Sequence, residues 1–132
     1  MNELTLNLNS GTLQGQTIGY DISISKELSS LESKQHGYSI NVIDGKVLSL
    51  FICFRSGYRG FDSFKGVCKI NLDTYKFNNL TTLDEFIALL GSPTEQWNDG
   101  VEQCAIFSIN DREIEVIWNV DGEVSLDYLA IE

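Results

Sequence analysis

Residues 101–132 read VEQCAIFSINDREIEVIWNVDGEVSLDYLAIE, and the way this stretch divides decides the fold. Three apolar-rich runs, at about 101–109, 112–119 and 123–131, are separated by Asn110-Asp111 and Asp121-Gly122, residue pairs that turn a chain. The pattern predicts a three-stranded antiparallel meander. Its last hairpin can be set in register. A type I turn over Asn119–Asp121 with Gly122 left-handed gives a three-residue connection. Trp118 then faces Val124, Val116 faces Leu126, Ile114 faces Tyr128, and these side chains form one apolar face. A two-residue loop would set Val116 against Asp127 and mix the faces, so the first register is preferred.

In that register the opposite face carries Glu113, Glu115, Ile117, Ser125, Asp127 and Leu129, with Glu115 directly across from Asp127. Like charges across a strand pair destabilise by some tenths of a kcal/mol, about 0.2–1. A face built only for solubility would usually oppose one of them with Lys or Thr. Arg112 is the sole cation of residues 84–132, which hold twelve Asp/Glu and a net charge of −11. Residues 1–83 hold eight Lys/Arg and seven Asp/Glu. A field of that sign repels nucleic acid and draws in basic partners. Ile117 and Leu129 would add apolar contacts within an acidic patch, as protein interfaces do.

Upstream, TTLDEFIALLGSP (81–93) is the clearest helix. Thr82 and Glu85 form a capping box, Leu83, Phe86, Ile87 and Leu90 repeat at helical spacing, and Gly91 and Pro93 end it. Such a short helix must pack on a sheet to persist. Residues 38–54, YSINVIDGKVLSLFICF, are two β-rich runs split at Asp44-Gly45, a hairpin signal. Strands are also expected at 3–8, where Leu4, Leu6 and Leu8 alternate, at 13–25, and at about 65–72. A short helix over 26–34 with Ser25 as its cap completes the reading. Leu13-Gln14-Gly15 echoes Phe64-Lys65-Gly66, and Asp44-Gly45-Lys46-Val47 echoes Asp121-Gly122-Glu123-Val124. That suggests two weak strand–helix–hairpin repeats.

The whole chain, 132 residues at −10, suits one domain over 1–132 with its own core. Its start shows no basic segment followed by an apolar run, and no stretch nears the ~18 apolar residues of a membrane span. Cys53, Cys68 and Cys104 are odd in number, far apart and set among apolar residues, which fits buried free thiols and a cytoplasmic location. Catalytic signals are sparse. His36 is the one histidine and has no nucleophile beside it. No metal-ligand spacing, phosphate-binding loop or cofactor motif is present, so no cofactor or metal is expected. Glycosidase chemistry would need carboxylates about 5–9 Å apart across a cleft.

One segment departs from the acidic background. Phe54–Gly66 reads FRSGYRGFDSFKG, with Arg55, Arg59 and Lys65 interleaved with aromatic rings and glycines. The acidic field opposes a nucleic-acid role for it. Tyr and Arg are enriched at interface hot spots, which makes Arg55, Tyr58 and Arg59 the loop's contact candidates. Phe61 and Phe64 can instead tuck into the core, with the arginines pairing to the acidic strands.

The segment LTTLDEFIALLGSPTEQW and the strands after it resemble the helix-plus-meander unit of β-lactamase inhibitor proteins and of small outer-membrane assembly lipoproteins. Thr82, Glu85, Leu90, Gly91, Pro93, Trp118, Asp121 and Gly122 carry that likeness over about 50 residues, mostly at turn and core positions. No lipid-attachment cysteine follows a signal sequence, so the lipoprotein role does not transfer. In size, acidity and lack of a catalytic set, the chain is also similar in type to small bacterial immunity proteins. That likeness implies a cytoplasmic, non-enzymatic inhibitor, monomeric or homodimeric, that docks an acidic surface on the active site of a basic toxin. Glu113, Glu115, Ile117, Asp127, Arg55, Tyr58 and Arg59 are then its partner-binding residues. The alternatives are a structural or adaptor subunit of a larger assembly and a small carboxylate-using enzyme. The expected architecture is α+β: an antiparallel sheet ending in the meander, with one main helix packed on it.

Overall fold

Turn chemistry divides the chain where the sequence places it. A computed structural model describes residues 4–21 and 32–132. Asp44 and Gly45 are both left-handed (φ 52° and 76°) and join β5 (Tyr38–Ile43) to β6 (Lys46–Cys53). Asn110 and Asp111 (φ 50° and 65°) join β10 (Glu102–Ile109) to β11 (Arg112–Asn119) in the same way. Both are the primed two-residue turns whose twist matches that of paired strands. The meander ends in β12 (Ser125–Ile131). With β4 (Glu32–Ser33) and β9 (Glu95–Asn98) these strands make a seven-stranded antiparallel sheet ordered β4-β5-β6-β12-β11-β10-β9.

A second, smaller sheet replaces the single sheet that the sequence suggests. It is ordered β3-β2-β1-β7-β8, from β1 (Thr5–Asn7), β2 (Thr12–Leu13), β3 (Gln16–Thr17), β7 (Val67–Ile70) and β8 (Asp73–Tyr75). The long strand expected at 13–25 is broken because Gln14 and Gly15 both turn left-handed (φ 54° and 76°), and its residues 22–25 lie outside the described residues. The first strand pairs in parallel with β7, Leu6 opposite Cys68. The α+β, antiparallel character holds; the one-sheet architecture does not. Of the helix expected at 26–34, Glu32 and Ser33 are strand, and 26–31 lie outside the described residues. The first copy of the suggested repeat would need its helix there.

Both sheets feed one core. Leu6, Leu13 and Ile70 of the small sheet, with Leu8 just after β1, meet Leu50, Ile52, Phe107, Val116, Trp118 and Leu129 of the large one. The helix α1 (Leu83–Leu90) covers the rest of the large sheet's inner face beside β10. It has the capping box foreseen: Glu85 N–H donates to Thr82 Oγ1 at 3.2 Å, and Thr82 N–H donates to Glu85 Oε2 at 2.7 Å. Its buried anchor is Phe86, whose ring lies 4.7 Å from Phe77 and 5.7 Å from Trp118. Leu83, Ile87 and Leu90 are only half-buried. The Trp118 indole N–H donates to Thr81 O at 2.9 Å, so the helix entry is tied to the meander.

The expected outcome of Thr82→Ala is a loss of about 1 kcal/mol, because the cap satisfies a first-turn backbone donor that has no partner within the helix. Urea denaturation measures it, and an unchanged midpoint would show the helix to be held by Phe86 alone.

Candidate functional site: the outer face of the large sheet

Helix and small sheet cover one face of the large sheet. The other face is read from the pairing. Trp97, Cys104, Ile117, Tyr128 and Cys53 lie in one row across β9, β10, β11, β12 and β6. Glu95, Ile106, Glu115, Ala130 and Phe51 form the next row. Glu95 and Glu113 are exposed, Glu102 and Glu115 half-buried. Trp97 is 44% exposed on the edge strand, whereas Ile117 and Cys104 are buried. Burial, with Glu115, Glu95 and Glu102 close by, raises the Cys104 thiol to about 11, so it stays protonated and inert.

The register that makes this face differs from the expected one. Asn119 pairs with Ser125, so the connection runs from Val120 to Val124, and Trp118 faces Leu126 rather than Val124. That two-residue change keeps the faces. A bulge between Ile117 and Trp118 then adds one residue to β12 and reverses them. Ile117 now pairs with Tyr128, Val116 with Leu129 and Ile114 with Ile131. Leu129, expected on the acidic side, is core, while Tyr128, expected in the core, is on the outer face. Glu115 lies opposite Ala130, and the expected clash with Asp127 does not arise.

Asp127 is the extra residue. It is 2% exposed and so offers almost no contact surface. Its Oδ1 stands 3.0 Å from Arg55 Nε, and its carbonyl accepts the Phe54 N–H (2.8 Å) and the Arg55 N–H (3.3 Å). The loop Phe54–Gly66 is therefore fastened at its first residues to the bulge. It curls around the Cys53 thiol, which donates to Arg55 O at 3.2 Å. Its return arm is fixed by Asp62 N–H to Lys34 O (2.8 Å), Phe64 N–H to Cys53 O (2.8 Å) and Lys65 N–H to His36 O (3.1 Å). Gly37 permits that approach: a Cβ there would stand 2.6 Å from Asp62 O. Phe61 and Phe64 are both buried, Phe64 in the core as the alternative has it and Phe61 against Phe51 on the outer face.

Between these anchors the tip, a 3-10 turn at Tyr58–Gly60, lies on the sheet. The Tyr58 ring stacks on Tyr128 (5.8 Å, 27°), and Phe51 packs on Tyr128 (5.2 Å) and Phe61 (5.3 Å). The Arg59 guanidinium carbon lies 5.2 Å from the Tyr58 ring centre, 5.3 Å from Tyr128 and 5.6 Å from Phe51. The Tyr128 hydroxyl donates to Glu115 Oε1 at 3.2 Å. Burial first, then Glu115, holds that phenol well above its ordinary range, so it stays a donor.

Of the expected contact residues, Glu113 and Arg59 are exposed, and Glu115, Arg55 and Tyr58 are half-buried. Ile117 and Asp127 are buried. Glu115, Tyr58 and Arg59 come together; Arg55 and Asp127 form the anchor beneath them. Phe51, Glu95, Trp97 and Tyr128 are members of the face that sequence reasoning missed. The signal for the bulge was present: the inward residues Leu126, Leu129 and Ile131 are spaced three and then two. His36 sits in an exposed turn, its Nδ1 2.7 Å from Ser33 Oγ, which also accepts the His36 N–H at 3.3 Å. That is a local turn cap. Among the described residues no cluster of His, Cys, Asp and Glu suits a metal ion. The open hollows lie elsewhere; one of about 620 Å³ is lined by Arg55, Leu80, Asn119, Glu123 and Val124 among others. Comparison with protein-family models, curated proteins and solved structures returns no match.

Burial pushes the Asp127 carboxyl above its ordinary 3.8, with Arg55 opposing the shift. A raised carboxyl binds its proton more tightly in the folded state, so its contribution is complete below 3.8 and is lost as pH rises through the folded value. Asp127→Asn, which cannot ionise, should gain stability relative to the wild type as pH climbs from 3 toward about 7. Denaturation midpoints across that range test it; a variant that loses stability relative to the wild type as pH rises would contradict the burial account.

Proposed function

We propose that this chain is a non-enzymatic protein-binding domain that docks the outer face of its large sheet on a basic protein. The observation that carries this is the composition of that face. Glu95, Glu102, Glu113 and Glu115 surround apolar and aromatic contacts from Trp97, Ile106 and Tyr128, and Arg59 is the cation at its centre. Carboxylates give steering and register, while a partly exposed Trp and stacked Tyr supply anchors of the kind that dominate binding energy. In this reading Glu113, Glu115, Tyr58 and Arg59 contact the partner. Asp127 and Arg55 hold the loop in place, and Ile117 supports the face from below.

The resemblance in type to immunity proteins suggests the partner's class: a toxin acting in the cytoplasm, with a basic active-site cleft that an acidic surface blocks. No helix among the described residues is long and apolar enough to cross a membrane. A second reading, a structural or adaptor subunit, draws on the free edge of β9, whose four residues are all exposed. Self-association in sedimentation that Trp97→Lys abolishes would favour it.

The test is affinity capture from the native cell beside a Glu95→Lys, Glu113→Lys variant. The expected result is one basic protein held by the wild type and lost by the variant, with an association rate falling at least about tenfold as salt is raised. A partner held equally by both would move the interface off this face.

A further inference from the structure

We infer that Phe51, Tyr58 and Tyr128 form an aromatic cage for a guanidinium side chain, and that Arg59 occupies it as a displaceable internal ligand. This deepens the reading above by naming the group a basic partner would insert, and rests on that reading only for where the group comes from. A cation over one ring gains little in water, but three rings together make a receptor for it. Here the three ring centres stand 5.2–5.6 Å from the Arg59 guanidinium carbon. A planar guanidinium suits stacked rings better than an ammonium does.

The cage is built without Arg59. Phe51 and Tyr128 are on adjacent strands in fixed register, with Phe51 opposite Ala130 and Cys53 opposite Tyr128. Tyr58 is seated by the loop anchors at Asp127. The Tyr128 hydroxyl is tied to Glu115. Arg59 itself is weakly held. Among the described residues no carboxylate lies within 4.0 Å of its guanidinium. Its side chain is exposed, and its backbone is left-handed (φ 54°), a conformation that residues with a side chain disfavour. An arginine brought in by a partner would exchange with it at small cost, and self-occupancy would lower the apparent affinity of any competitor.

The experiment is an NMR titration with Nα-acetyl-arginine methylamide, read at the ring protons of Phe51, Tyr58 and Tyr128. It compares the wild type with Arg59→Ala and with Arg59→Gly, the second of which relieves the left-handed backbone. Both variants should bind the probe at least about tenfold more tightly than the wild type. The neutral citrulline counterpart should give no saturating shift, and Tyr128→Leu added to either variant should abolish binding. Equal affinity in wild type and variants, or equal shifts from the citrulline compound, would overturn the proposal. So would loss of the Tyr58–Tyr128 ring contact in both variants, since the cage would then not exist without its own arginine. Probe binding with no partner captured would sink the partner reading alone; partner capture with no probe binding would sink the cage alone.

Discussion

One extra residue in β12 organises this molecule. Asp127 reverses the alternation of its strand, so Leu129 and Ile131 enter the core while Tyr128 emerges on the far face. The carbonyl and carboxylate of the same residue fasten Phe54 and Arg55, which sets the path of the loop that follows. Bulges re-aim side chains and break pairing, and both effects are used here. Without the bulge, Tyr128 would lie in the core, and Tyr58 would lose the ring it stacks on.

The energetics of this arrangement are uneven. The core is ordinary apolar packing from two sheets and a helix, and it carries the stability. The Asp127–Arg55 pair joins a carboxylate that is almost wholly buried to an arginine that is 41% exposed. Such a half-buried pair contributes position more than stability, since desolvation of the acid offsets much of the attraction. What it secures is the placement of aromatic rings on an otherwise acidic surface.

Much of the fold was legible in the sequence, because local chemistry fixed it. The helix cap at Thr82 and Glu85, the turns at Asp44-Gly45 and Asn110-Asp111, and the buried free thiols all rest on short-range rules. Two strands of the small sheet, β1 and β7, were legible at 3–8 and 65–72, but their assembly into a second sheet was not, since its other strands are two or three residues long and β1 pairs with a segment some sixty residues away. The strand at Glu95–Asn98 has no apolar alternation to mark it. The bulge was legible only as a three-residue gap between Leu126 and Leu129, and the symmetrical hairpin concealed it. That single miss placed Asp127 and Leu129 on the acidic face and Tyr128 in the core. The loop's Tyr and Arg content was plain in the sequence; its seat on the sheet depends on tertiary contacts with no local signature.

The account stands on the register of β11 against β12. Cross-strand backbone NOEs in solution measure it directly. The predicted result is a contact between Ile117 and Tyr128, with ring contacts from Tyr128 to Tyr58 and to the Arg59 side chain. A contact between Ile114 and Tyr128 instead would mean an unbulged strand, with Tyr128 in the core, and would contradict both the loop anchor and the aromatic face built on it.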